Sequence, residues 1–353
     1  MELRKPWSPC QRELRYKRIV LFEEQELGVG AYGKVCRALC DELPCAAKLL
    51  HPMLVEHFSP GNLTIFNKFL EECELKIRHP CIVQYLDAYI HPQTGMPILL
   101  MELMDESLTK FLERAARPIP LHVQINLCHD IALALAFLHS NNIIHRDLTG
   151  NNVLVYLGGR AKISDFGMMR IIDRPGSTMT MCPGCPPYMP PEAFRLPPVY
   201  SGKLDVFSFG VVTLQILTRR FPGLTKSHES QLQRRKADLS SIPAKHLLLP
   251  IVRSCLKDAE KNRPTAANLC QMLAELKDMP EYERSRLAEL SAPLEVERLR
   301  EELERVLSEL SEYKEEAKRC RLRSNSVPHV STVPHSRLSV PMLQSKYDVT
   351  LGN

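Results

Sequence analysis

The chain has 353 residues, 44% of them hydrophobic and 25% charged, with a formal net charge of +5. That length suits one large two-lobed domain with an appendage rather than one ordinary domain of about 150 residues, and the composition excludes a collagen-like or mostly disordered polymer. So small a charge, without a dominant block of one sign, demands no nucleic-acid partner.

The longest apolar runs, such as Ile131–Leu138 and Val211–Leu217, fall far short of the ~20 residues of a membrane span. Met1–Trp7 lacks the apolar core of a signal peptide. The expectation is a soluble, cytoplasmic protein. Twelve cysteines are scattered through core-like segments (Cys36, Cys73, Cys128, Cys255), so reduced thiols acting as small apolar residues are expected. Cys182-Pro-Gly-Cys185 is the one CxxC. It has no second pair to complete a zinc site, and prolines follow where a redox pair opens a helix; an irregular loop is the reading.

From about Phe22 to Met104 the chain reads mainly as strands. Leu21–Val29, Val35–Leu39, Ala46–Leu50, Ile82–Ala88 and Ile98–Met104 are apolar or alternating runs separated by Gly, Pro and Asp. One helix interrupts them: Phe66, Phe69, Leu70, Cys73 and Ile77 recur at helical spacing through Asn67–Arg78, and His79-Pro80 closes it. Helices follow over Leu108–Ala115, Leu121–Leu138, Val206–Leu217, Leu247–Leu256 and Ala266–Leu276. The pattern predicts an α+β protein, with a small β-rich lobe (about 20–104) and a larger helical lobe (about 105–280) around a cleft.

Composition shifts at Pro280. Val296, Leu299, Leu303, Val306, Leu310, Tyr313, Ala317 and Cys320 form an unbroken a/d heptad flanked by charge. Residues 293–322 are therefore expected to form a coiled coil that pairs weakly with a second copy or another helix; the alternative is one amphipathic helix packed on the globular part. Residues 323–353, rich in Ser, Pro, Val and His, read as a disordered tail.

The chemistry concentrates in three places. Leu27-Gly28-Val29-Gly30-Ala31-Tyr32-Gly33-Lys34-Val35 is G-x-G-x-x-G-x-V. A dinucleotide fold would follow such a turn with a helix; here a strand follows, and the next strand delivers Lys48. That is a lid over phosphates, with glycines admitting backbone amides to the oxygens and Lys48 adding a cation. Farther on come His145-Arg-Asp147-Leu-Thr-Gly-Asn-Asn152 and Asp165-Phe-Gly167. Asp147 suits acceptance of a hydroxyl proton, and Asn152 and Asp165 are hard oxygen ligands for Mg2+.

In their order and spacing these motifs resemble the protein kinases over roughly Leu21–Leu276. The resemblance implies ATP and Mg2+ as cofactors and a protein substrate. Glu72 would pair with Lys48 (Glu71 being the alternative), and Met101 would stand as gatekeeper. The backbone of Glu102–Met104 would hold adenine between Val35, Ala46 and Leu154. Glu192, in Pro190-Pro-Glu, would pair with buried Arg263, and Asp205 would anchor the catalytic loop.

Two departures stand out. Thr149 takes the place of the lysine two residues after the catalytic Asp in serine/threonine kinases, and Cys185 takes the place of the activation-segment threonine. Pro187-Tyr188 does not follow the tyrosine-kinase pattern. The whole resembles the tyrosine-kinase-like group, whose members mostly phosphorylate Ser or Thr. Tyrosine or dual specificity is the alternative, followed by a pseudokinase scaffold acting through the coiled coil. Ser177, Thr178 and Thr180 are expected sites of activating phosphorylation, gripped by Arg146. Arg323-Ser-Asn-Ser326-Val-Pro328 fits the pattern 14-3-3 proteins read when Ser326 is phosphorylated.

Overall fold

Alternating burial shapes the first sheet. In β2 (Gly33–Cys40) Cys36, Ala38 and Cys40 are buried while Arg37 between them is exposed, the period of two that a pleated strand imposes. In β3 (Leu43–Leu50) Cys45, Ala46, Ala47 and Lys48 are all buried, so this strand is covered on both faces. The computed structural model describes residues 18–30, 33–50, 77–90, 97–166, 185–194, 201–223 and 228–280. With β1 (Ile19–Gly30), β4 (Tyr85–Ile90) and β5 (Pro97–Glu102), these strands form an antiparallel sheet of order β1-β2-β3-β5-β4. Cys36, Ala38, Cys45, Ala47, Ile98 and Leu100 pack together in one cluster. Ala46, Leu99 and Met101 belong to another, which runs on into the helical lobe.

That lobe begins with β6 (Glu106–Ser107) and α1 (Leu108–Arg114), where the Ser107 hydroxyl caps the helix by accepting from the Lys110 N–H,. Next come α2 (Leu121–Ser140) and the hairpin β7 (Val153–Tyr156)–β8 (Arg160–Ile163), with β6 on its edge. The remaining helices are α3 (Gly202–Thr218), α4 (His228–Ser240), α5 (Leu249–Cys255) and α6 (Ala266–Asp278). α3 is buried on every side from Leu204 to Ile216, which marks it as the central helix of the lobe. α2 is long and apolar enough to cross a membrane by length and composition, longer than its apolar runs suggest. Its buried face carries Asp130, which accepts two hydrogen bonds from Arg160 and one from the Ala161 N–H of β8.

The two-lobed architecture is as expected. Ile82 makes one bridge to Ile163 instead of starting β4. The hairpin β7–β8 and the polar helix α4 carry too weak a periodicity to announce themselves. The expected helix over Asn67–Arg78 lies almost wholly outside the described residues. The chain separates into two units, Met1–Glu295 and Val296–Asn353; the second, with the heptad and tail, lies outside the described residues. The described cysteines are free thiols, and burial pushes those of Cys128 and Cys255 up to about 12, as suits core residues.

Candidate active site

The segment between α2 and β7 is held from below by one carboxylate. Asp205, on the first turn of α3 and fully buried, accepts from the backbone N–H of His145 and of Arg146, both at 2.8 Å, and meets His139 Nε2 at 2.8 Å. This grip holds Arg146 in the left-handed region at φ 68°, a conformation that surrounding structure must enforce for a non-glycine residue. The expected anchor is in place.

His145 acts as a strut. Its Nδ1 accepts from the Asp147 N–H at 3.3 Å, so Nε2 carries the proton and donates to the Ser164 carbonyl at 2.9 Å,. The two strands of the site are thereby fixed to each other. Asn152 donates through Nδ2 to the Asp147 carbonyl at 2.7 Å and to Asp147 Oδ2 at 3.0 Å. Thr149 accepts from the N–H groups of Asn151 and Asn152, each at 3.3 Å. Its hydroxyl closes the turn that presents Asn152, a structural task no lysine there could perform.

Lys48, buried on β3, donates from Nζ to Asp165 Oδ1 at 2.6 Å. Asp165 itself sits at φ 60°, a second strained residue at the same place. Phe166 behind it is fully buried with its ring edge-on to Tyr85. Lys48, Asp147, Asn152 and Asp165 thus converge. Leu27, Val35, Met104 and Leu154 are half-buried apolar residues packed against the main core beside Ala46 and Met101, the surface an aromatic base requires. The Glu102 N–H donates to the Gln84 carbonyl at 3.0 Å, whereas the Met104 backbone has no partner among the described residues. A β-carbon built on Gly28 or Gly30 would meet nothing within 4 Å. Lys34 reaches Glu26 of β1 at 3.7 Å, and Val29 is exposed. Ala31, Tyr32, Glu71 and Glu72 lie outside the described residues, as do Ser177, Thr178 and Thr180.

Burial pushes the Asp147 carboxyl up, against the pull of His145 and of the Asn152 hydrogen bond; the nearby Asp165 charge pushes the same way as burial,. A raised carboxyl with one oxygen already held is suited to taking a proton. The donor set also fits magnesium. Asn152 spends its nitrogen on Asp147 and Asp165 spends Oδ1 on Lys48, so each keeps one oxygen without a partner among the described residues. Among the described residues no cluster of three or more His, Cys, Asp or Glu is placed to hold a metal alone. Magnesium sites of this kind complete their shell with phosphate oxygens and water.

The Glu192–Arg263 pair forms as expected. It is bidentate, Arg263 NH1 to Glu192 Oε1 and NH2 to Oε2, the latter at 2.9 Å, and both residues are buried. Arg263 also donates to the carbonyls of Lys257, Asp258 and Lys203 and lies 4.9 Å from the Phe207 ring centre. Sequence reasoning missed two neighbours of the site. Lys162 of β8 holds both oxygens of Glu102 at 2.7 Å, and Gln215 of α3 accepts from the Tyr188 hydroxyl at 2.9 Å. Neither belongs to a spaced motif, so only the fold reveals them.

A family model described as protein tyrosine and serine/threonine kinase matches residues 21–273. The chain belongs to that kinase family. Among its relatives, the dual specificity protein kinase shkC of Dictyostelium discoideum is 31% identical over 238 residues, which are 66% of this chain and 44% of the relative. The serine/threonine-protein kinase TAO1-B of Xenopus laevis is 30% identical over 271 residues, 74% and 26% of the two chains. TNNI3K of Homo sapiens, also named a serine/threonine-protein kinase, is 30% identical over 200 residues, 56% and 24%. The chain thus spans less than half the length of these relatives. The printed names of these relatives are of serine/threonine and dual-specificity kinases.

Proposed function

We propose that this kinase transfers the γ-phosphoryl group of ATP to Ser or Thr hydroxyls of proteins. The observation that carries the reading is the convergence of Lys48, Asp147, Asn152 and Asp165, each held by a named partner. Asp147 receives the acceptor proton, its orientation set by Asn152 Nδ2 and by the His145 strut,. Lys48 steers the phosphates while keeping Asp165 in place, and Glu72 is the residue proposed to position Lys48. Magnesium, when bound through Asn152 and Asp165, neutralises charge on the transferring group. Val35, Ala46 and Leu154 enclose adenine, and Leu27–Val35 lies over the phosphates.

Serine/threonine preference is supported by the relatives' names, with dual specificity as the second reading because one relative carries it. Residues 293–322 pair as a coiled coil with a second copy or a partner helix, on the strength of the heptad. Phosphorylated Ser326 recruits 14-3-3, and the protein works in the cytoplasm. Phosphoamino-acid analysis after reaction with labelled ATP, Mg2+ and a degenerate peptide pool tests the central reading. Phosphoserine and phosphothreonine are expected; label on tyrosine alone overturns the preference, and no label from any acceptor overturns the transfer.

A further inference from the structure

The hairpin that delivers Lys48 carries a pair of thiols across it. Cys40 ends β2, Cys45 is the third residue of β3, and their Sγ atoms are 3.0 Å apart. Non-bonded carbon atoms sit about 3.5–4.0 Å apart at best contact, and sulfur is larger. The approach is therefore closer than core packing requires. The register explains the meeting: Cys40 pairs with Leu43 and Cys45 with Ala38. The two cysteines are thus diagonal neighbours on one face of the sheet, in the buried cluster that holds Cys36, Ala38 and Ala47,.

The two sulfurs are not equivalent. The hydrogen bond to Cys45 holds the Cys40 thiol far above its ordinary value, helped by burial and by the charges of Cys45, Asp41 and Asp87. The same bond lowers the Cys45 thiol, against burial. Cys40 is therefore the donor, and Cys45 carries the thiolate character that attacks an oxidant.

Access selects the oxidant by size. Each cysteine is 1% exposed, which shuts out a bulky disulfide reagent. The turn between them lies at the surface: Asp41, Glu42, Leu43 and Pro44 are all exposed. Asp41 and Glu42 stand in the left-handed region at φ 47° and 71°, a costly conformation for residues other than glycine. Such a turn opens locally more readily than the centre of a sheet, and a brief opening admits a molecule as small as hydrogen peroxide.

We propose that Cys40 and Cys45 are a site of oxidative modification, at which a peroxide joins them in a disulfide that locks the β2–β3 hairpin. The Cys45 thiolate attacks one peroxide oxygen; the O–O bond breaks, hydroxide leaves, and Cys45 becomes a sulfenic acid. The Cys40 sulfur, giving up its proton, then attacks Cys45 Sγ. The S–O bond breaks, and its hydroxyl leaves with that proton as water. In sum two thiols are oxidised to one disulfide and hydrogen peroxide is reduced to two waters. From 3.0 Å the sulfurs close by about 1 Å to reach the ~2.05 Å of the bond. β3 pairs at Cys45 with Glu102 and at Lys48 with Leu99, so the lock acts on the strand that carries the cation of the active site. Its chemistry is independent of the transfer reading.

The test uses the reduced full chain treated with hydrogen peroxide, then unfolded in iodoacetamide and digested with trypsin. Cleavage after Arg37 and Lys48 leaves both cysteines in one peptide, Ala38–Lys48. That peptide should emerge without alkylation and two hydrogens lighter than its reduced form. Doubly alkylated Ala38–Lys48, with peroxide oxidising other cysteines instead, overturns the proposal. In Cys40→Ser the reaction should stop at the sulfenic acid of Cys45, trapped by dimedone on unfolding; in Cys45→Ser, Cys40 should stay reduced. Dimedone on Cys40 instead contradicts the assigned order. Closing a short loop should raise the melting temperature of the oxidised parent by about 4–8 °C over its reduced form. Cys36→Ser, in the same buried cluster, should keep that difference and Cys40→Ser should lose it. A cross-link that leaves melting unchanged, or the same rise in Cys40→Ser, overturns the lock.

Discussion

Gly28 and Gly30 of β1 and Gly150 and Gly210 of the helical lobe meet opposite surroundings. Around Gly28 and Gly30 a β-carbon would find open space; at Gly150 it would collide with Gln215 and Thr109, and at Gly210 with Cys255 and Leu256. The first pair is therefore not required by the protein's own packing. It leaves room for something that comes from outside, whereas the second pair lets protein segments approach one another. The stretch at Gly28 and Gly30 has open space beside it, and the packed Gly150 lies within the loop that holds Asp147 and Asn152.

Substitutions can sharpen or break this contrast. The largest effect should come from Lys48→Ala, which removes the cation beside Asp165 at the ligand-facing site; phosphoryl transfer should fall about 10²–10³-fold, and the melting temperature should fall as well, because the buried Lys48 leaves Asp165 without its partner,. Unaltered steady-state turnover would dissociate Lys48 from the site. Arg263→Ala strikes the packed side and strands Glu192 in the interior. It should lower unfolding free energy by about 3–5 kcal/mol, read from urea titration, and an unchanged midpoint contradicts the pair's importance.

The glycine pairs themselves provide the next test. Gly150→Ala should cost about 1–3 kcal/mol through overpacking against Gln215 and Thr109. Gly30→Ala should leave stability alone and raise KM for the nucleotide by crowding its approach. Equal melting losses for the two variants would abolish the distinction.

The smallest effect concerns pH. Because burial raises Asp147 in the folded state from its ordinary value of 3.8, the acid limb of kcat/KM should lie above the usual aspartate range. The stability sign follows by linkage. Between the ordinary and the raised value the folded form holds more protons than the unfolded form, so stability falls as pH rises through that window. Asp147→Asn should therefore melt slightly higher than the parent at neutral pH, with the difference vanishing below the ordinary carboxylate value. Identical melting curves across the range would contradict a burial cost at Asp147.

The legible parts of the molecule were those where a residue type and a spacing have one chemical use. Lys48, Asp147, Asn152 and Asp165 were readable because phosphoryl transfer demands those groups, and Arg263 was readable only through the resemblance to the protein kinases. β2 was readable from alternation between Cys36, Arg37 and Ala38, and β3 from the strand-length apolar run around Lys48. Other features depend on tertiary proximity. Gln215 is an ordinary helix residue until Gly150 and Tyr188 are brought against it, and Lys162 acquires a role only when β8 passes behind Glu102. The hairpin β7–β8 is short, and Leu154 and Tyr156 on its half-buried face blur the alternation that would announce it.

The most direct measurement follows γ-phosphate transfer from ATP and Mg2+ by the purified full chain beside Asp147→Ala at matched folded concentration. The account predicts steady incorporation by the parent and about 10²–10⁴-fold less by the variant. Equal incorporation by both would contradict the role assigned to the Asp147 carboxylate.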